Sequence, residues 1–103
     1  GNPRHFAVPE LFFAEMLNVL VRLFGDNHRV KEALQILETL GFERVGFGHQ
    51  LLAEAAEIAN EYRVSGSDAI YVATAKLLGG HWYTFDDRAH KKIRELGHSK
   101  LLV

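Results

Sequence analysis

The chain has 103 residues, of which 48% are hydrophobic and 24% charged, and 12 basic side chains nearly balance 13 acidic ones. This length predicts a single domain over residues 1–103, and the net charge of −1 excludes a protein that coats nucleic acid by bulk electrostatics. The lack of cysteine excludes disulfides, thiol catalysis and cysteine-bound metals, and it favours a cytoplasmic location. No apolar run approaches the ~18 residues of a membrane span, so no membrane partner is expected.

The first segment with a clear pattern is an apolar stretch over residues 10–24. Residues 1–8 form a lead-in without a strand pattern, and Pro9 suits the first turn of a helix because its missing N–H costs nothing there. The helix is apolar on almost every side, so we expect it to be buried on several sides or to pack against a partner as well as its own core. Its polar residues recur at spacings of three and four and form one stripe, made of Glu15, Asn18 and Arg22.

The rest of the chain predicts an alternation of helices and short strands. Gly25 ends the first helix and Gly41 ends the second, which Asp26 or Asn27 caps. Further helices are predicted over residues 49–62, 65–78 and 87–96, and strands over residues 42–47, 81–85 and 100–103. Because strands separated by helices are typical of parallel sheets, the predicted fold class is α/β, with a short parallel sheet flanked by helices.

Two carboxylates, Asp86 and Asp87, directly follow the predicted strand over residues 81–85. In open parallel sheets, ligands bind beyond the carboxyl ends of the strands. Asp68, at the start of the preceding helix, can lie near this position, and Glu15 of the polar stripe is a third candidate. Carboxylates that converge without cations repel one another, and oxygen ligands favour Mg²⁺ or Mn²⁺ over zinc. The pattern therefore predicts a divalent-cation site.

Each of these carboxylates also has a structural interpretation, which stays open at this point. Ser65-x-x-Asp68 has the form of a capping box at a helix start. Asp86 or Asp87 can cap the last helix. Glu15 can be a solvent-facing charge. Capping does not exclude metal binding, since a capping carboxylate can still turn one oxygen outward.

Histidines, aromatics and basic residues give weaker signals. The six histidines lack a ligand spacing such as His-x-x-x-His, and we interpret them as surface or strand residues. Trp82 and Tyr83 are interpreted as core or interface aromatics rather than as a platform for stacking bases. The basic residues that follow Asp86 form either a solvated face or a contact for a phosphate backbone; they are Arg88, Lys91, Lys92 and Arg94.

Two segments resemble a known family. Residues 67–75, Ser-Asp-Ala-Ile-Tyr-Val-Ala-Thr-Ala, are followed by two glycines, an apolar strand and Thr84-Phe85-Asp86. This order resembles the C-terminal hallmark of PIN domains, and more narrowly that of the VapC-type toxin ribonucleases. The stretch from Val8 to Leu20 resembles the acidic helix of the same family, so the resemblance covers residues 8–103. It implies a three-layer PIN-like fold.

The resemblance also implies roles for individual residues. Glu15, Asp68 and Asp86 match the catalytic, metal-binding carboxylates of the family. Thr84 matches the hydroxyl residue that accompanies the last acid, and Asn18 lies where the family often has a polar neighbour of the acidic helix.

Further residues extend this set without a firm counterpart in the family. Asp87 is an additional candidate for metal binding, and the candidates for contacting RNA are Arg88, Lys91 and Lys92.

The implied activity is hydrolysis of RNA phosphodiester bonds with Mg²⁺ or Mn²⁺, in which the metal activates a water molecule and stabilises developing charge. The implied partners are an RNA substrate, a cognate antitoxin and a second copy of the chain. The alternative function is a non-catalytic PIN-like module that binds RNA or protein. A receiver-like or phosphatase-like domain ranks last, because Phe47-Gly48 supplies no second acid at a strand end.

The chain departs from the family at its start. The family carries another acid at the end of a first strand in the middle of its sheet, whereas residues 1–8 hold no acid and no strand pattern. The departure implies an N-terminally truncated form, a strand supplied by another chain, or a degenerate member, and we favour truncation. We therefore expect weak or absent nuclease activity from the 103-residue chain, since three carboxylates hold a metal less well than four.

Overall fold

The computed structural model describes residues 6–102. The elements in these residues, in chain order, are β1 (Ala7–Pro9), α1 (Leu11–Phe24), α2 (Asn27–Thr39), β2 (Glu43–Val45), α3 (His49–Tyr62), α4 (Gly66–Leu78), β3 (Trp82–Thr84), α5 (Asp87–Ile93), a 3-10 turn (Arg94–Leu96) and β4 (Ser99–Leu101). The predicted α/β class is confirmed. None of the helices within residues 6–102 has the length and apolar character that crossing a membrane requires.

The described strands form two parallel pairs, β1 with β2 and β3 with β4. Parallel neighbours need a crossover connection, which α1 and α2 supply for the first pair and α5 supplies for the second. The chain divides into two compact units, the first ending at Gly46 and the second beginning at Phe47. Each pair of strands belongs to one unit, and the units are described in turn.

The start of the first unit differs from the prediction. Ala7–Pro9 is a strand paired with Glu43–Val45, although no strand was expected in residues 1–8. Pro9 is the buried last residue of that strand rather than part of the first helical turn. The strand continues its pairing through Glu10, whose N–H donates to the Val45 carbonyl at 2.9 Å, so the missing N–H of proline is tolerated at the strand end. The part of the prediction that concerns residues 1–5 lies outside the described residues.

The start of α1 is stabilised by contacts between side chains near the beginning and near the end of the first unit. Glu10 accepts two hydrogen bonds from the Arg44 guanidinium, at 3.1 and 2.9 Å. These hydrogen bonds raise the pKa of Arg44. The same guanidinium lies 4.1 Å from the centre of the Phe13 ring, which is a cation–π contact. The arrangement joins β2 to the first turn of α1.

α1 itself is far less buried than its sequence suggested. Gly25 ends it in the left-handed conformation, with φ at 61°, and Asp26 caps α2 by accepting the His28 N–H at 3.0 Å, as predicted. However, Leu20 is the only residue of α1 classed as buried, and Leu23 is 70% exposed. Of the two alternatives predicted for this helix, the described residues do not show burial on several sides, and packing against a partner stays a prediction.

The second unit is built on α3 and α4, which pack against each other. Both helices bury small and branched apolar residues, and the buried set is Leu51, Ala55 and Ile58 from α3 with Ala69, Val72 and Ala73 from α4. Lys76 of α4 also forms an ion pair with Glu54 of α3. The hydrogen bond within this pair raises the pKa of the Lys76 ammonium.

The predicted boundaries of α3 and α4 are confirmed to within a residue or two. Ser65 caps α4, and Gly79 ends it in the left-handed conformation with φ at 71°. The end of α3 is unusual, because its left-handed residue is Arg63, with φ at 58°, and not a glycine. Lys92 of α5 donates a hydrogen bond to the Arg63 carbonyl at 3.0 Å, which ties this helix end to α5.

We expect the Arg63→Gly substitution to raise the free energy of unfolding by about 0.5–1 kcal/mol, because a left-handed L residue costs roughly 1–2 kcal/mol and the added freedom of unfolded glycine offsets part of the gain. Urea unfolding followed by circular dichroism measures the change. Arg94→Gly is the matched control, since Arg94 has an ordinary φ of −57°. Equal stabilisation by both substitutions, or none at Arg63, contradicts the strain interpretation.

Candidate functional site

The local structure of Asp86 is set by the end of β3. Thr84 is the buried last residue of that strand, and its Oγ1 accepts the Asp86 N–H at 3.0 Å. Asp86 in turn caps α5, because its Oδ1 accepts the Ala89 N–H at 3.0 Å. The structural interpretation of this carboxylate, as a helix cap, is confirmed. Thr84 and Ala89 together hold the carboxylate in one orientation at the carboxyl end of a parallel strand.

Capping engages one of the two carboxylate oxygens of Asp86. The residue is exposed, and within residues 6–102 no hydrogen bond reaches its Oδ2. An ionised carboxylate has about four lone-pair sites, so the oxygen left over can bind a cation or a hydrogen-bond donor from outside the chain. Asp86 therefore combines a fixed position with an accessible ligand atom.

Asp68 lies in the first turn of α4, as its third residue. Its backbone N–H donates to the Ser65 Oγ at 3.1 Å, so the Ser65 half of the predicted capping box is confirmed. The Asp68 residue itself is half-buried. A carboxylate in the first turn of a helix is stabilised by the positive end of the helix dipole. Since α4 continues into the buried core at Ala69 and Val72, the position of Asp68 is fixed by that packing.

Topology brings Asp68 and Asp86 to the same end of the second unit. α4 contacts β3, and only residues 79–81 separate the two elements. A connection this short between packed neighbours makes them run in opposite directions. The first turn of α4 and the last residue of β3 therefore lie at one end, where α5 also begins. Two helix N-termini share this end with three carboxylates, those of Asp68, Asp86 and Asp87.

Asp87, the additional candidate, is used differently. Its carboxylate forms an ion pair with Lys91 at 3.0 Å, one helical turn further along α5. Both side chains are more than half exposed. An exposed i,i+4 pair contributes only about 0.3–0.5 kcal/mol.

Glu15 and Asn18 belong to the first unit, where both lie on α1. Glu15 is half-buried, and Asn18 is exposed one turn later. Among the described residues, no three acidic or histidine side chains are grouped closely enough to hold a metal ion. Asp68 and Asp86 supply oxygen ligands of the kind that Mg²⁺ prefers, since Mg²⁺ is commonly bound through one or two carboxylates and keeps several water molecules.

The basic residues predicted to contact RNA differ in whether they already have a partner within the described residues. Lys91 is paired with Asp87, and Lys92 is bound to the Arg63 carbonyl. Arg88 is exposed, and in the part of the chain that the structure describes it has neither an ion pair nor a side-chain hydrogen bond. Arg88 directly follows Asp86-Asp87 in the sequence, and its contact with RNA stays a prediction.

Sequence reasoning missed the contacts that hold α5 in place. His90 of α5 hydrogen bonds to Ser99 of β4 through its Nδ1, at 2.8 Å from the Ser99 Oγ. Together with the bond from Lys92 to the Arg63 carbonyl, this bond joins α5 to β4 and to the end of α3. Neither contact has a signal in the sequence, because the partners are 9 and 29 residues apart and share no motif.

Comparison with known proteins identifies the family. The family model for the PIN domain matches residues 4–96, which is most of the chain. The chain therefore belongs to the PIN-domain family, whose fold is in general that of a metal-dependent nuclease. Searches of curated proteins and of solved structures each give no significant match.

We expect Thr84→Val to lower the free energy of unfolding by about 1–2 kcal/mol, because the Asp86 N–H loses its acceptor while the shape of the side chain is kept. Thr84→Ser retains the hydroxyl and is expected to lose less than Thr84→Val. Thr39→Val serves as the control, since Thr39 is exposed and its hydroxyl donates to the Ile36 carbonyl. Urea unfolding measures all three, and an equal loss from the Val variants at positions 84 and 39 contradicts the role given to Thr84.

Proposed function

We propose that this PIN-domain chain is a Mg²⁺- or Mn²⁺-dependent endoribonuclease and the toxin component of a toxin–antitoxin pair. The observation that carries the proposal is the position of Asp86. It lies at the carboxyl end of a parallel strand, inside the segment that matches the PIN-domain model, and its capping bond uses only one carboxylate oxygen. The narrower assignment, to RNA and to the toxin type, is supported by the resemblance of residues 67–86 to that group.

In this proposal Asp68 and Asp86 hold the divalent ion through their carboxylate oxygens. Glu15 is given the same role on the ground of the family resemblance alone. A bound divalent ion supplies an activated water and neutralises charge on the phosphodiester. Thr84 acts through Asp86, because its hydroxyl fixes the backbone from which that carboxylate projects. Arg88 supplies a positive charge for the phosphate backbone.

We expect Asp68→Asn and Asp86→Asn each to abolish binding of Mn²⁺, together with any cleavage of single-stranded RNA that the native chain shows. At position 86 asparagine caps a helix about as well as aspartate, and at position 68 the bond to the Ser65 cap comes from the backbone N–H, so the helical circular dichroism signal is expected to be unchanged. Binding is measured by the loss of the free Mn²⁺ signal in electron paramagnetic resonance, and cleavage on denaturing gels. Asp26→Asn is the matched control, because Asp26 caps α2 by the same kind of hydrogen bond and lies in the first unit.

The proposal is overturned if the chain neither binds Mn²⁺ nor cleaves RNA. This must hold for the 103 residues alone and for the same residues with an N-terminal extension. RNA binding under the same conditions then assigns the chain to the alternative, a non-catalytic PIN-like module. Loss of helical signal in the asparagine variants assigns these carboxylates to folding alone.

We also propose that α1 carries the contact surface for a second copy and for the antitoxin. The exposed apolar residues Leu17, Val21, Leu23 and Phe24 all lie on this helix. A groove between α1 and α2 is lined by Leu17, Val21, Val30 and Leu34. Large exposed apolar surfaces on soluble proteins often mark interaction sites.

We expect Leu23→Lys to weaken self-association by roughly tenfold or more, since burial of a leucine is worth about 1.5–3 kcal/mol. Sedimentation velocity over a range of concentrations measures the dimer. Asn18→Lys is the matched control, because it adds the same charge to the polar stripe of the same helix. A native chain that stays monomeric at every concentration contradicts the proposed dimer.

A further inference from the structure

Two histidines lie side by side at the amino ends of β3 and β4. The strand register pairs Trp82 with Ser99, so the residues immediately before them, His81 and His98, are neighbours across the two strands. The Trp82 N–H donates to the His98 carbonyl at 2.8 Å, which extends the pairing to this position. The two imidazole rings have centroids 6.3 Å apart and planes inclined at 43°.

The hydrogen bond of His98 determines which of its ring nitrogens is available. Its Nδ1 lies 2.9 Å from the Gly80 carbonyl oxygen. A carbonyl oxygen can only accept, so Nδ1 is the donor, and in the neutral ring Nε2 carries the lone pair. Histidines that bind metals usually donate their other ring N–H in this way, often to a backbone carbonyl. His98 therefore has the backbone hydrogen bond that is typical of a metal-binding histidine, and its Nε2 is left to bind an ion.

His81 completes the pair from an exposed position. It is exposed and, among the described residues, has no hydrogen bond or ion pair, so its ring is free to rotate. A zinc-sized ion lies about 2.0–2.1 Å from each imidazole nitrogen, which places the centroids of two ligating rings roughly 5–6 Å apart. The observed 6.3 Å is close to this range, and a small rotation of His81 closes the difference.

We propose that His81 and His98 chelate a transition-metal ion of the class that imidazole prefers, Zn²⁺, Ni²⁺ or Cu²⁺, with water as the remaining ligands. The site is separate from the carboxylates of the proposed nuclease function. His81 precedes β3 and Asp86 follows it, so the two positions are roughly 15 Å apart along the strand. Nitrogen ligands also select different ions from the oxygen ligands of Asp68 and Asp86. The proposal does not rest on nuclease activity.

The single tryptophan of the chain provides a local readout. Trp82 is adjacent to His81 in the sequence, and its ring stacks on Tyr71 with centroids 6.0 Å apart. Bound Ni²⁺ is paramagnetic and quenches nearby tryptophan fluorescence. We expect titration of the untagged chain with NiCl₂ to give saturable quenching, and titration with MgCl₂ to give none.

We expect His81→Ala to raise the Ni²⁺ concentration at half-quenching at least tenfold, because losing a ligand costs no less than losing the partner of a ligand, which is worth about 10–100-fold. His98→Ala is expected to have the same effect. His49→Ala is the matched control, since His49 is an exposed histidine of the same unit on α3, and it should titrate like the native chain.

Quenching that is unchanged in His81→Ala overturns the proposal, because that side chain is exposed and its loss leaves the fold intact. A loss of quenching shared equally by His81→Ala and His49→Ala also overturns it, since the binding is then distributed over surface histidines. Loss in both His81→Ala and His98→Ala, with circular dichroism spectra like that of the native chain, establishes the chelating pair.

Discussion

The packing of α3 against α4 is the contact on which the rest of the second unit depends. Val72 and Ala73 of α4 are completely buried, and full burial of one branched apolar side chain is worth about 1.5–3 kcal/mol. This helix carries Asp68 in its first turn and leads at its other end into Gly79 and Gly80. One buried helix thus positions the carboxylate end of the unit and also the carbonyl that orients His98.

The helices were predictable because their signals are local. Caps and stops at Asp26, Ser65 and Gly79 lie within a few residues of the boundaries that they set, and the structure places them as expected. The strands were harder, because three residues are too few to show a period of two. Ala7–Pro9 was missed altogether, since its pairing with Glu43–Val45 is non-local and proline at the head of an apolar helix favours a different interpretation.

In the candidate site, too, the local features were predictable and the non-local ones were not. The capping roles of Ser65 and Asp86 follow from their sequence positions, and the structure confirms them. The pairing of His81 with His98 depends on the register between β3 and β4, which spacing along the chain does not encode. The hydrogen bond from Lys92 to the Arg63 carbonyl likewise depends on how α5 packs. A run of basic residues in the sequence therefore does not show which of them already have a partner within the chain.

The short β3 strand has a consequence for the solubility of the protein. Residues 82–85, Trp-Tyr-Thr-Phe, are uncharged and rich in β-forming side chains, and among the described strands β3 has a single neighbour. Such an edge is a template for pairing with other chains. The charges of Asp86, Asp87 and Arg88 follow it at once and act as gatekeepers against aggregation. A charge at position 86 therefore disfavours pairing of β3 with other chains, independently of any chemistry performed there.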